Sequence, residues 1–388
     1  MQSSGEANGL PVVAIFRSPL FHAHETFVRT HVLGLRRYRP LVIGLEDRGH
    51  VPPGLEGRII LPGSGAEALR LRLLRPGRAF AERVRAHAPR LMHAHFAPDG
   101  LLALPLALRL GIPLVTTLHG YDVSRRRSRL VSSGRLSWIR YGLFGGRLRA
   151  RGRLFLAVSD ALRAQALAAG FPPERTVTHY NGVDLARFPR PARPPERGLI
   201  LHVGRLVEKK GSAVLIRALA EVREARPDAR LVVLGEGPLR PRLEAQAAAL
   251  GLSAHVSFLG ARSSEEVAAW MARAWLLAVP SVTAGDGDSE GLPTVLQEAA
   301  AASLPAVGSR HSGIVEAIED GVSGFLVPEG EAAPLARRIS DLLEAPRLRA
   351  SMARESRAIA ETRFDSARQN QLLENLYDRL INSPDLPL

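Results

Sequence analysis

Two successive series of short apolar runs, separated by helix-length stretches, constrain the fold of this chain most. The first series reads Val12–Phe16, Leu41–Leu45, Leu91–His95, Pro113–Leu118 and Arg153–Val158, with helices expected from about Thr26, near Ala79–His87 and over Gly100–Leu110. The second reads Leu199–Val203, Arg230–Leu234, Val256–Leu259, Trp275–Val279, Ala306–Gly308 and Phe325–Val327, with helices between them and two more from Arg347 to Ile381. Apolar strands alternating with helices predict a parallel sheet covered on both faces. Between the series lies NGVDLARFPRPARPPERG, 181–198, a Pro-, Arg- and Gly-rich linker. At 388 residues the chain is long for one domain. The expectation is an α/β protein of two doubly wound, Rossmann-like domains, 1–190 and 191–365, facing across a cleft. Ligands of such sheets sit beyond the carboxyl ends of the strands.

Composition narrows the classes. Hydrophobic content of 46% and charged content of 23% describe a globular protein with ample core material. There is no cysteine, so disulfides and thiol chemistry are excluded, in keeping with a cytoplasmic chain. MQSSGEANGLP lacks the basic and apolar regions of a signal peptide, and the apolar run 100–115 is broken by Pro105, Arg109 and Pro113. A soluble or peripheral protein is expected. The net charge of +14 is uneven: residues 1–190 carry 29 arginines, no lysine and 12 acids, whereas the remainder is slightly acidic. Arg125–Arg153 holds ten arginines and no acid, a patch suited to an anionic membrane, a phosphorylated acceptor or nucleic acid, or simply a solvated face.

The chemistry concentrates in the second half. Glu290 and Glu298 flank Gly291, Leu292, Pro293 and Thr294 where a helix is expected to start, with Pro293 at its first position. A helix N-terminus offers free amides and partial positive charge to a phosphate, and carboxylates accept hydrogen bonds from hydroxyls. Phosphates and hydroxyls together describe a nucleotide sugar. The only two lysines are neighbours, Lys209 and Lys210, just after the strand Leu199–Val203 and Gly204-Arg205. Arg205 and Lys210 are expected to reach a diphosphate and stabilise it as it leaves. Gly235-Glu236-Gly237-Pro238 follows the next strand and reads equally as a plain turn. In the first half, His119 ends the strand PLVTTL, on the expected ligand side. His93 and His95 share one strand face, but no third residue at metal-site spacing accompanies them, and His22 and His24 are read with the same caution.

Taken in order, HFAPDG (95–100), HGYD (119–122), VSDALR (158–163), NGVDLARF (181–188), VGRLVEKKG (203–211), LGEGPL (234–239) and EGLPTVLQEA (290–299) resemble the retaining glycosyltransferases of family 4, with the two-domain GT-B architecture. HETFV (24–28) and PSVTAGDGDSEGLP (280–293) resemble the subgroup that builds exopolysaccharides such as colanic acid and amylovoran. The resemblance implies transfer of a hexose from a nucleotide diphosphate sugar to a glycan or polyprenyl-diphosphate-linked acceptor, without a metal ion or other cofactor. It implies that Glu298 binds ribose hydroxyls, and that Glu290, with the amides of Gly291 to Thr294, holds the transferred sugar. Arg205 and Lys210 would grip the diphosphate, Gly204 and Glu236 would line the donor site, and His119 would lie near the sugar. It also implies that 366–388 forms a helix crossing back to the first domain. One departure stands out: loop 18–27, glycine-rich in many members, here has no glycine. A sugar-nucleotide epimerase of the same architecture is the alternative. A basic nucleic-acid-binding module is disfavoured by 5% aromatic content and the lack of a recognised motif.

Overall fold

The computed structural model describes residues 9–21, 25–73, 76–125, 127–189 and 193–382. The chain divides into two compact units, Met1–Gly182 with Ser366–Leu388, and Val183–Asp365.

The first unit carries a seven-stranded sheet: β1 (Val12–Phe16), β2 (Arg39–Ile43), β3 (Ile59–Ile60), β4 (Pro89–His95), β5 (Leu114–Leu118), β6 (Leu154–Ala157) and β7 (Thr176–Thr178). Its order is β3-β2-β1-β4-β5-β6-β7, with every pairing parallel. All five residues of β1 are buried, as continuous Val/Ile/Phe runs under helices on both faces require. β2 begins at Arg39 rather than Leu41, because Val12 opposite it already pairs there. β3 and β7 are two and three residues long at the sheet edges, too short to leave a periodic signal. The helix Asp160–Ala168, within the VSDALR segment, starts where the Ser159 hydroxyl accepts from the Leu162 amide at 3.1 Å. The basic patch folds into the helices Arg127–Val131 and Leu136–Arg151, with Arg126 outside the described residues.

The helix Ser366–Asn382 belongs to this unit. Leu373, Tyr377 and Leu380 recur at i, i+4 and i+7 and join the core made by Val13, Ile15, Val28 and Leu91.

The second unit repeats the plan with β8 (Leu199–Val203), β9 (Arg230–Leu234), β10 (Val256–Gly260), β11 (Leu276–Val279), β12 (Ala306–Ser309) and β13 (Gly324–Val327). Its order is β10-β9-β8-β11-β12-β13, again all parallel. One core of Leu, Val, Ile and Ala side chains runs through the sheet and the helices Ser212–Ala225 and Ala332–Glu344. This unit begins at Val183, eight residues before the expected start at 191. Val183 donates its amide to the Phe364 carbonyl at 2.8 Å, and buried Phe188 accepts at its carbonyl from Arg357 at 2.9 Å. A polar, Pro-rich composition marked the linker, and these long-range contacts are invisible to composition.

Candidate active site

In the second unit the chain runs outward from β8 through β9 to β10, then returns to place β11 on the other side of β8. The carboxyl ends of β8 and β11 therefore flank the switch point, where doubly wound sheets bind ligands. Two loops leave that point, Gly204–Gly211 and Pro280–Pro293. They pack directly: at Gly211, φ +65°, a Cβ would fall 1.7 Å from the Pro280 carbonyl oxygen. Gly235, φ +142°, is held as closely, since a Cβ there would lie 1.9 Å from the Gly204 carbonyl oxygen. Both positions demand glycine because backbone meets backbone.

The lysine pair divides its work. Lys210 Nζ lies 2.8 Å from Glu290 Oε1, an ion pair with both side chains largely buried. Lys209 Nζ pairs with Asp288 Oδ1 at 3.1 Å, and its carbonyl accepts from the Val282 amide at 2.9 Å, fastening the loop after β11. Burial pushes the Glu290 carboxyl up, but Lys210 and Lys209 more than offset that, so its pKa lies below the usual 4.5. Arg205 is exposed and makes no ion pair among the described residues. It is a cation at the end of β8 available to an anion. Gly204 sits beside the stem of Lys210. Glu236 is exposed and tied to Arg240 Nη1 at 2.5 Å, one turn along its own segment.

The helix Thr294–Ala301 begins one residue later than expected. Pro293 is its N-cap, with extended ψ of 117°, and accepts at its carbonyl from Leu296. The N-cap makes no side-chain hydrogen bond to the first turn, as a helix start that seats an anion would require. Gly291 and Leu292 are buried at the approach, and Gly291 accepts at its carbonyl from Gly313. Glu298, on the second turn, is half-buried and pushed up to about 7 by burial, against a smaller opposing pull from Arg187. It is a carboxyl poised between its two states.

Sequence reasoning missed the frame that holds these groups. Glu329, just past β13, accepts from the Thr283 amide at 2.5 Å and pairs with His311 Nδ1 at 2.9 Å. Ser312 donates its hydroxyl to the Glu290 carbonyl at 2.5 Å. The segments SRHSG and PEGE carried these residues, but nothing in their spacing tells a brace from a solvated polar residue.

His119 belongs to the first unit. Its ring lies between those of Phe27 and Phe96, each centroid 4.4 Å away. Asp122 accepts from the amides of His119 and Gly120 at 3.0 and 2.9 Å, fixing the turn after β5. Burial, then Arg17 and His31, hold the His119 pKa well below 6.5, so the imidazole is neutral. The glycine-free loop has its own anchor. Arg17, at the end of β1, grips Glu25 through two bonds of 2.8 and 2.5 Å and Asp99 at 2.7 Å, and its guanidinium lies 4.5 Å over the Phe96 ring. His22 and His24 fall outside the described residues.

His93 and His95 do have a third partner. His31, from the helix Thr26–Gly34, brings a ring nitrogen within 4.8 Å of one on each of them, a set able to hold a metal ion. Sequence spacing could not reveal it, because 62 residues of chain separate His31 from His93. Among the described residues, no helix is long and apolar enough to cross a membrane.

Comparison with known proteins fits this geometry. Residues 23–187 match glycosyltransferase family 4, and residues 186–359 match the glycosyl transferases group 1. The chain is 30% identical over 391 residues to the amylovoran biosynthesis glycosyltransferase AmsK of Erwinia amylovora, covering 95% of this chain and 92% of that one. It is 38% identical over 252 residues to WcaL of Escherichia coli (strain K12), whose name assigns it to colanic acid biosynthesis; that match covers 64% of this chain and 60% of WcaL. The crystal structure of Alr3699/HepE from Anabaena in complex with UDP superposes with a TM-score of 0.77 at 23% identity, over 96% of this chain and 100% of that one, a likeness of fold. With both matched segments adjoining and AmsK aligned along nearly its whole length, the chain belongs to glycosyltransferase family 4, in the two-domain fold called GT-B.

Proposed function

We propose that this protein is a retaining glycosyltransferase that moves a hexose from a nucleotide diphosphate sugar to a hydroxyl of a glycan or polyprenyl-diphosphate-linked glycan, in bacterial cell-surface polysaccharide synthesis. The observation that carries the reading is the buried Lys210–Glu290 pair, set at the switch point beside an uncapped helix that bears Glu298. The names of AmsK and WcaL support the exopolysaccharide setting, and the UDP held by HepE supports a nucleotide donor.

In this reading Glu298 accepts from the ribose diol, and the amides of Leu292 and Thr294 meet the diphosphate. Lys210 and exposed Arg205 neutralise the diphosphate as the bond from the sugar C1 to its oxygen breaks. Glu290 takes hydroxyls of the transferred sugar, with Lys210 shared between carboxylate and phosphate. His119 touches the same sugar. The acceptor hydroxyl bonds C1 from the face that the phosphate leaves, and its proton passes to the departing phosphate oxygen, so configuration is retained with no enzymic base. Two cations occupy the role that a divalent ion would otherwise play, and no cofactor is required. The arginine-rich first unit would rest on an anionic membrane carrying the lipid-linked acceptor.

A panel of UDP-, GDP- and dTDP-sugars read by thermal shift tests the donor half. One class is expected to raise Tm, and incubation of that donor alone should leave its sugar unchanged. Formation of an epimer without an acceptor would overturn the transferase reading, as would no shift with any nucleotide sugar.

A further inference from the structure

The buried histidines of the first unit form a single chain. Thr117 Oγ1 meets His93 Nε2 at 2.7 Å, and His93 Nδ1 meets the Tyr377 hydroxyl. That hydroxyl meets His31 Nε2 at 3.0 Å, His31 Nδ1 meets His95 Nε2 at 2.9 Å, and His95 Nδ1 meets His119 Nε2 at 3.1 Å. Burial holds His31, His93 and His95 far below 6.5 and Tyr377 far above 10, so each carries one proton on this part of its side chain.

A neutral imidazole donates through one nitrogen and accepts through the other, and a phenol has one proton to give. A group that donates to one neighbour must accept from the next. The direction therefore propagates without a break through the five bonds. Two arrangements leave the Tyr377 O–H paired; a third, with the phenol accepting from both His93 and His31, would bury that O–H without a partner. Run from Thr117, all four rings carry the proton on Nδ1; run from His119, all four carry it on Nε2. His119 Nδ1 makes no hydrogen bond among the described residues. Its role toward a ligand is opposite in the two arrangements.

We propose that Thr117 and Tyr377 are positioning residues that set the tautomer of His119 through this chain. The chain runs from Thr117 to His119, since the reverse order leaves the buried Thr117 O–H without an acceptor among the described residues, whereas partly exposed His119 can offer its Nδ1–H to water, and His119 Nδ1 is thereby a donor to a hydroxyl. The assignment of that hydroxyl to the transferred sugar rests on the function proposed above; the proton order does not. His31, His93 and His95 are thus fully used by one another, by Tyr377 and by Thr117, rather than free to ligate a metal.

Long-range proton–nitrogen NMR of the full chain labelled with ¹⁵N-histidine reads each tautomer. Wild type should show His31, His93, His95 and His119 all protonated at Nδ1; Nε2–H at any of them, or an imidazolium at pH 7.5, would overturn the proposal. Thr117→Val removes the terminal donor. Without that donor the intrinsic preference for Nε2–H returns, so all four rings should shift toward Nε2–H, while Thr117→Ser should keep the wild-type pattern. A His119 tautomer unmoved by Thr117→Val sinks the coupling. Tyr377→Phe cuts the chain, so adding Thr117→Val should then leave His119 unchanged. With the donor found in the panel, Thr117→Val should lower kcat about tenfold, with Thr117→Ser near wild type. A tightly bound stoichiometric divalent ion in purified protein, lost on His31→Ala, would replace the relay with a metal site. Absence of donor binding by wild type would remove the proposed function and leave the NMR result standing.

Discussion

Glu290 and Glu298 bracket the same helix start but live in opposite electrostatic settings. Two lysines keep Glu290 ionised, while burial leaves Glu298 near neutrality at about 7. Glu290→Gln keeps the shape and removes the charge that Lys210 faces; kcat should fall about 10²-fold with Tm lowered by only a few degrees. Near-normal turnover would refute the role given to it. Glu298 makes a pH prediction with a definite sign. Ribose hydroxyls favour the ionised carboxylate, so donor affinity should rise with pH up to about 7, by as much as about tenfold per unit, and flatten above. Calorimetry from pH 5.5 to 8.5 should show this rise with proton release, and Glu298→Gln should abolish it. Without donor the sign reverses for stability: a folded pKa raised above 4.5 favours the protonated fold, so this contribution is lost as pH climbs through 7. Both carboxylates, Lys210 and Arg205 stood out in the sequence as candidates because phosphate and hydroxyl chemistry would need a particular residue type beside a strand or helix end. The bracing roles of Lys209, His311, Ser312 and Glu329 did not, because a brace depends on partners that only folding brings near.

At the scale of elements, the Leu136–Arg151 helix is the part of the basic patch with a usable face. Leu136, Leu143 and Phe144 are exposed, and Arg147 and Arg151 continue the same stripe at helical spacing. Exposed apolar side chains interleaved with arginine suit a helix that lies in a membrane interface. Leu143→Glu with Phe144→Ser should weaken sedimentation with anionic vesicles several-fold and leave Tm near wild type, since neither side chain is buried. Binding should fall from 50 to 300 mM salt, and equal binding to neutral vesicles would remove the membrane role. The sequence marked this region by charge alone. It did not mark the helix, because glycines at 142, 145 and 146 and three aromatic residues obscure its period; in the fold Gly142 lets the helix pack against Val131, where a Cβ would fall 2.9 Å from its side chain.

For the whole molecule, the C-terminal helix decides the stability of the first unit. Leu373, Tyr377 and Leu380 are 3%, 0% and 1% exposed. Losing three such side chains costs roughly 5–9 kcal/mol, comparable to the stability of a domain. A chain ending at Asp365 should therefore lose the thermal transition of the first unit and keep that of the second, which is continuous from Val183 to Asp365. Two unchanged calorimetric transitions would contradict this. The sequence by itself determined the α/β class, the two domains and the family, and it singled out Lys210 and Glu290, which the fold pairs, because strand burial, helix starts and charge chemistry are written in local patterns of residue type. Only the tertiary structure decided where the units divide, which lysine meets which carboxylate, and how His31, His93, His95, His119 and Tyr377 join in one chain. Those depend on the strand order that sets β4 beside β1 and β5, and on a helix from the far end of the chain docking there, neither of which any local window of sequence contains.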